Sequence, residues 1–108
     1  MGWIGVDLDG TLAQYGGWLG PETIGEPIPA MMDRVRNWIR QGKTVKIFTA
    51  RACVPEQIPF VLEWLKKHSL EGVEVTNVKD FEMLELYDDR CVTVETNTGR
   101  ILTRQYGS

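Results

Sequence analysis

Short apolar runs of strand length alternate along this chain with longer segments of helical period. Residues 3–6, 45–48 and 73–76 have the length and the residue types of strands. Segments 29–41 and 55–68 follow the first and second runs and place apolar residues at the three- and four-residue spacing of helices. This alternation is typical of βαβ units, in which right-handed crossovers join parallel strands. The chain is therefore predicted to be an α/β fold with a mostly parallel sheet.

The last third of the chain adds shorter elements to this prediction. Residues 84–87 are predicted as a fourth strand and residues 91–95, by their β-branched alternation, as a fifth. Asn97-Thr98-Gly99 has hairpin-turn chemistry, so residues 100–102 are expected to pair back. We therefore expect one domain, 1–108, folded as a Rossmann-like three-layer sandwich of about five strands with a C-terminal hairpin.

Residues 13–29 show neither a helical nor a strand period. They are rich in glycine and proline, with Tyr15 and Trp18 among them. Loops longer than about 12–15 residues are uncommon in compact domains unless they are functional. The segment is predicted to be a flap loop beside the functional site, with a disordered linker as the alternative. Exposed aromatic residues in the flap would also suit a homo-oligomer contact.

The composition is that of an ordinary soluble globular protein, with 43% hydrophobic and 25% charged residues. No apolar run approaches the ~20 residues of a membrane span, and no secretory signal is recognisable, so a cytoplasmic location is expected. The net charge of −3 argues against non-specific attraction to nucleic acid. Cys53 and Cys91 are too few for a disulfide framework and are expected to be free and mostly buried.

Two carboxylates follow directly after the first predicted strand, in Asp7-Leu8-Asp9-Gly10-Thr11. In open parallel sheets the ligand crevice lies outside the carboxyl ends of the strands. One carboxylate there can attack phosphorus, while a second donates a proton to the leaving oxygen and later activates water. The alternative is a plain surface turn, since Asp and Gly are common in turns.

The other predicted strands also end near polar groups suited to phosphate chemistry. Thr49 follows the second strand, Lys79 follows the third after a short loop, and Asp88 and Asp89 follow the fourth. In a parallel sheet these ends open on one edge, so the side chains are expected to meet. Singly, each has a plain alternative as a helix N-cap, a solvated charge or a turn.

A Mg²⁺ ion is expected in this crevice, because a phosphomonoester dianion repels a carboxylate nucleophile. Asp7 with Asp88 or Asp89 would supply side-chain oxygens, and a backbone carbonyl near Asp9 would complete the shell. The predicted metal ligands are thus Asp7, Asp9, Asp88 and Asp89. The predicted phosphate contacts are Gly10, Thr49, Ala50 and Lys79.

In combination these motifs resemble the four-motif signature of the haloacid dehalogenase-like superfamily of phosphohydrolases. The residues that carry the resemblance are Asp7-Leu8-Asp9-Gly10-Thr11, Phe48-Thr49, Lys79 and Tyr87-Asp88-Asp89. It implies Asp7 as nucleophile, Asp9 as general acid/base, Thr49 and Lys79 as phosphate ligands, and Asp88 with Asp89 at the Mg²⁺ site. An acid at position 9 goes with phosphatases and phosphotransferases in this superfamily.

Neither gap between the motifs is large enough for the cap domain that many members of the superfamily insert. The chain therefore resembles a small capless member, similar to small uncharacterised hydrolases of bacteria and phages. Capless relatives act on large substrates or close the site with a neighbouring subunit. A weaker likeness is to the phosphatase part of polynucleotide kinase-phosphatases.

The expected function is a Mg²⁺-dependent phosphomonoester phosphatase, with a small phosphorylated substrate favoured over nucleic acid and no membrane partner. The alternatives are a binding or regulatory module of the same fold with weak catalysis, and a nucleic-acid end phosphatase. The candidate substrate contacts are Arg51, Tyr15, Trp18 and Arg90. Alternatively, the two arginines pair with Asp88, Asp89 or Glu95.

Overall fold

A four-stranded parallel sheet forms the centre of the fold. The computed structural model describes residues 2–102. The strands lie side by side in the order β3-β2-β1-β4, and each pairing is parallel. Their bounds are Trp3–Val6 for β1, Thr44–Phe48 for β2, Glu74–Thr76 for β3 and Met83–Tyr87 for β4. The predicted α/β class and parallel sheet are confirmed.

Two α-helices connect the first three strands. Helix α1, Pro29–Arg40, joins β1 to β2, and its first position is a proline, which lacks the N–H that would have no partner there. Helix α2, Ile58–Lys67, joins β2 to β3 after two short 3-10 turns, Ala50–Cys53 and Pro55–Gln57. Within the predicted helical segment 55–68, the regular helix begins at Ile58 and places Pro59 in its first turn, where a proline is tolerated.

The hydrophobic core lies between the helices and one face of the sheet. Ile4 pairs with Val45 and Val6 with Ile47, so these buried side chains share a face. Both helices contribute to the same cluster, α1 with Met32 and Val35, α2 with Val61, Trp64 and Leu65. Burying each such side chain stabilises the fold by roughly 1.5–3 kcal/mol.

The helices cover only one face of the sheet, which corrects the predicted three-layer sandwich. The connections β1 to β2 and β2 to β3 both move toward the same edge of the sheet. Because both crossovers are right-handed, their helices lie on the same face. Within residues 2–102 no helix covers the other face. Trp3 lies there instead, and its indole Nε1 donates to Asp80 Oδ1 at 2.9 Å. The described part of the chain is therefore two-layered.

The predicted fifth strand is also wrong. Residues 91–95 form no strand, and Val94 makes only an isolated antiparallel bridge to Ile101. The neighbouring backbone bonds run from Glu95 N–H to Arg100 O at 2.7 Å and from Leu102 N–H to Thr93 O at 2.8 Å. Residues 93–95 therefore pair with residues 100–102 inside the predicted hairpin and do not add a strand to the edge of the sheet.

The flap loop, residues 13–29, is closed at its base by the core. Ala13 forms an antiparallel bridge to Pro27, and Ile28 N–H donates to Leu12 O at 2.8 Å. Trp64 Nε1 of α2 donates to Gly25 O at 2.9 Å, and a Cβ at Gly25 would overlap the Gln14 carbonyl. The loop is therefore anchored on the helical layer by specific contacts.

Helices in the described range 2–102 are all too short or too polar to cross a membrane.

Candidate active site

The carboxyl ends of the strands surround a cavity of about 800 Å³. Asp7 follows β1, Thr49 follows β2, and Asp88 and Asp89 follow β4. The structure brings these four residues together with Asp9 on the wall of this cavity. The remaining lining residues are Tyr15, Trp18, Phe48, Ala50, Arg51, Cys53, Gln57, Asn77 and Arg90.

Three carboxylates form a cluster on this wall. Asp7, Asp88 and Asp89 each offer an oxygen within 4.8 Å of the other two. The backbone joins the two strand ends, because Asp7 N–H donates to Tyr87 O at 2.9 Å. The cluster therefore depends on the parallel pairing of β1 with β4.

Thr11 holds the two sides of this cluster together, a role that the sequence did not reveal. Its buried Oγ1 accepts from Asp89 N–H at 3.0 Å. The same Oγ1 lies 3.2 Å from Asp89 Oδ1 and 3.4 Å from Asp7 Oδ2, so its single proton can be donated to either carboxylate. The position of Thr11 directly after the Asp-Leu-Asp-Gly turn was the available signal.

Burial and neighbouring negative charge perturb the pKa of Asp7. Burial, followed by the charge of Asp88 and the hydrogen bond and charge of Asp89, raises the pKa of Asp7 from 3.8 to about 7. A backbone hydrogen bond at Leu8 opposes the shift. Neighbouring groups of the protein therefore do not fully offset the negative charge of this cluster, which favours the binding of a proton or a cation there.

Gly10 makes room for Asp89. Its φ of +93° is unfavourable for other residues, and a Cβ there would lie 2.6 Å from Asp89 Oδ2. Gly10 lines a neighbouring cavity of about 640 Å³ beneath the flap instead of the main one. Its observed role is therefore steric, and its predicted contact with phosphate stays a prediction.

The Asp9 side chain lies against Arg51 and outside the three-carboxylate cluster. Arg51 Nε donates to Asp9 Oδ2 at 2.7 Å, and Nη2 donates to Oδ1 at 3.0 Å. The guanidinium, only 4% exposed, also donates to the flap carbonyls of Pro21 and Thr23, both at 3.0 Å. The partner of Arg51 is thus Asp9, not Asp88, Asp89 or Glu95 as in the alternative considered from the sequence. Glu95 pairs with Arg100 at 3.0 Å.

Thr49 combines a structural contact with a place in the cavity. It is 2% exposed, and its Oγ1 accepts from Arg51 N–H at 3.2 Å as the N-cap of the turn Ala50–Cys53. The hydroxyl proton remains free to be donated to a ligand. Ala50 is exposed beside it on the same wall.

Lys79 does not line this cavity. It is exposed on the loop between β3 and β4, and Asn77 of the same loop is on the cavity wall instead. The positive charge of Lys79 opposes the rise in the pKa of Cys91 that slight desolvation, Asp88 and Asp7 cause. Lys79 therefore lies within electrostatic range of the acidic side of the site.

The remaining predicted contacts are on the cavity wall. Tyr15 and Trp18 are about half exposed, and the Trp18 ring lies over the Arg51 guanidinium at 4.8 Å. Arg90 is exposed, and its backbone N–H donates to Asp88 Oδ1 at 2.8 Å. Cys53 on the wall and Cys91 are free as predicted, but both are exposed and not buried.

Comparison with protein-family models, with curated protein sequences and with solved structures gives no match to this chain. A functional assignment therefore depends on the residues and the geometry of the site.

Proposed function

We propose that this chain is a Mg²⁺-dependent phosphomonoester phosphatase with a Rossmann-like, haloacid dehalogenase-type architecture. The observation that carries the proposal is the three-carboxylate cluster of Asp7, Asp88 and Asp89, which shares one cavity with the buried hydroxyl of Thr49. Parallel α/β sheets bind ligands at this edge. Hydrolysis would pass through an aspartyl-phosphate (acyl phosphate) intermediate on Asp7.

The cluster suits Mg²⁺ in the type and the spacing of its donors. Carboxylate oxygens are hard ligands. The pKa of Asp7, raised first by burial and then by the neighbouring Asp88 and Asp89, belongs to a carboxylate that a bound cation would stabilise. Asp7, Asp88 and Asp89 would hold the ion, and Asp9 would contribute through its backbone carbonyl, since its side chain pairs with Arg51. Bound Mg²⁺ would offset the charge of the phosphoryl group and so permit the approach of a carboxylate.

The chain's own residues supply the bond-making steps. An Asp7 carboxylate oxygen attacks phosphorus, the bond to the leaving oxygen breaks, and that oxygen takes a proton from the Asp9 carboxyl group. Water then attacks phosphorus and gives a proton to Asp9, and the bond to Asp7 breaks with release of phosphate. The Thr49 hydroxyl donates to a phosphoryl oxygen in both steps.

The contact between Asp9 and Arg51 suits the second half of this cycle. Both Asp9 oxygens accept hydrogen bonds, as a carboxylate base requires. Donation to the leaving group requires a protonated Asp9 that separates from the guanidinium. The same contact favours a second candidate function, a binding module with weak catalysis, in which Arg51 keeps Asp9 out of the reaction.

A small phosphomonoester suits the charges of the cavity better than a nucleic-acid end. Four aspartates and two arginines line its wall. Arg51 is occupied by Asp9, which leaves Arg90 as the unoccupied cation of that lining. A polyanion needs a more basic surface than this.

The test is phosphate release from a panel of small phosphomonoesters and 3′- or 5′-phosphorylated oligonucleotides, measured with Mg²⁺ and with EDTA. We expect Mg²⁺-dependent release that falls about 10³-fold or more in Asp7→Asn, with the exposed helix residue in Asp33→Asn as control. Full activity of Asp7→Asn would contradict a mechanism in which Asp7 is the nucleophile. Mg²⁺ binding without release from any panel member would favour the binding module.

A further inference from the structure

Two aromatic side chains of the flap stand half exposed on the wall of the cavity. Tyr15 is 50% exposed and Trp18 is 52% exposed, and both line the space that contains the three-carboxylate cluster. Phe48, at the end of β2, adds a third ring to the same lining. Large rings that line a cavity without joining the core are typical of ligand contacts.

The ring of Trp18 is held in place by specific contacts. It lies over the Arg51 guanidinium at 4.8 Å, and Arg51 is fixed by Asp9 and by the carbonyls of Pro21 and Thr23. A cation over one face of the indole leaves the opposite face for a flat partner. Trp18 is therefore a pre-positioned stacking surface.

The cavity has room for more than a phosphoryl group. Its volume of about 800 Å³ lies within the ~300–1,000 Å³ of sites that hold drug-sized ligands. Gln57 and Asn77 add amide donors and acceptors to the wall, which can read the polar edge of a flat heterocycle. The size and the lining both favour a ring-bearing leaving group.

We infer that the ligand is a monophosphate that carries a planar aromatic ring, stacked on Trp18 and Tyr15 while its phosphoryl group lies at the acidic cluster. The ring is a nucleobase or a simple aryl group, because both present a flat π-face to an aromatic side chain. Turnover of such a compound depends on the proposed phosphatase function, whereas its binding does not. The two are therefore separable by experiment.

The first experiment compares matched pairs of substrates. Adenosine 5′-monophosphate is set against ribose 5-phosphate, and benzyl phosphate against cyclohexylmethyl phosphate, whose ring is puckered and not flat. We expect kcat/KM to favour the flat-ring member of at least one pair about tenfold. If only adenosine 5′-monophosphate is preferred over its partner, the site recognises a nucleobase. If the flat-ring member is preferred equally in both pairs, the site recognises any flat aromatic ring.

Variants of the flap assign this preference to its residues. Trp18→Leu and, as a second exposed position, Tyr15→Leu should reduce the preference several-fold, because the rate with the flat-ring compound falls more than the rate with ribose 5-phosphate. Phe81→Leu is the control, because Phe81 is fully exposed outside the cavity. Wild-type protein that hydrolyses all four compounds equally well would overturn the ring proposal and leave the phosphatase proposal standing.

A binding measurement covers the case in which no compound is hydrolysed. Trp18 is more exposed than Trp3 or Trp64, so adenosine 5′-monophosphate with Mg²⁺ should quench tryptophan fluorescence of the wild type and of Asp7→Asn. Ribose 5-phosphate should not quench it, and Trp18→Leu should lose the response. Quenching without hydrolysis supports the ring proposal and overturns the phosphatase. Absence of quenching and of any ring preference overturns the ring proposal.

Discussion

Arg51 binds both carboxylate oxygens of Asp9, with Nε 2.7 Å from Oδ2 and Nη2 3.0 Å from Oδ1. The same guanidinium donates to Pro21 O and Thr23 O of the flap. A single buried side chain therefore links the proposed general acid/base to the loop that covers the site. Disturbing one of the two should disturb the other.

Arg51→Met should destabilise the protein, since it leaves Asp9 and two flap carbonyls without their donor. Loss of one partner of a fully buried ion pair costs ~3–5 kcal/mol. Because the Asp9 side chain is 20% exposed, we expect about 2 kcal/mol here, read from urea unfolding. Arg90→Met, at an exposed arginine of the same cavity, should cost far less.

The double variant Asp9→Asn/Arg51→Met isolates the pair from the flap contacts. If the ion pair dominates, the double variant should be less destabilised than the sum of the single variants. Strict additivity would mean that Arg51 stabilises the fold through the flap carbonyls alone.

Gly10→Ala should weaken Mg²⁺ binding because a Cβ would displace the Asp89 carboxylate. The backbone strain alone should cost ~1–2 kcal/mol of unfolding free energy. Gly72→Ala is a matched control, with a φ of +94° against +93° and open space around its Cβ. Both variants should lose stability, but only Gly10→Ala should lose the rise in melting temperature that Mg²⁺ causes. Equal Mg²⁺ responses would contradict the steric role of Gly10.

The pH dependence of stability should carry the signature of Asp7. Its folded pKa of about 7 lies above the ordinary 3.8, so the proton favours the folded state. This contribution is fully present below 3.8, decreases as the pH rises, and is lost once the pH passes about 7. Metal-free Asp7→Asn should therefore gain in melting temperature over wild type as the pH rises from about 4 to about 7, and the difference should level off above.

Mg²⁺ should reverse this difference at the higher pH, since a cation competes with the proton on Asp7. The measurement is the melting temperature of both proteins across this range, with Mg²⁺ and with EDTA. A wild type that responds to pH in EDTA as the variant does would contradict the raised pKa of Asp7.

Lys79→Met tests whether Lys79, which is predicted to bind phosphate but does not line the cavity, contacts the substrate. If Lys79 reaches the phosphoryl group when substrate binds, its removal should raise KM about tenfold, the loss of one hydrogen bond to a charged group. Lys43→Met is the control, because Lys43 is exposed beside a different cavity. An unchanged KM would exclude Lys79 and leave the phosphoryl group to Thr49 and Asn77.

The chain's local patterns were sufficient to predict most of its elements. The apolar runs at β1, β2 and β4 placed Asp7, Thr49 and Asp88 at strand ends, and parallel pairing then brought them to one edge. The prediction of a fifth strand was wrong because a β-branched alternation is equally compatible with a short hairpin, in which Val94 pairs with Ile101. The prediction of a third layer was wrong because the periodicity of a helix does not specify which face of the sheet it covers.

The sequence by itself determined the α/β class and the positions of the acidic residues, because both follow from periodicities within a few residues. Only the tertiary structure decided that Arg51 pairs with Asp9, that Thr11 bridges Asp7 and Asp89, and that Asn77 lines the cavity in place of Lys79. Arg51 and Asp9 are 42 positions apart. Contacts at that separation depend on strand order and on the path of the flap, which no local pattern encodes.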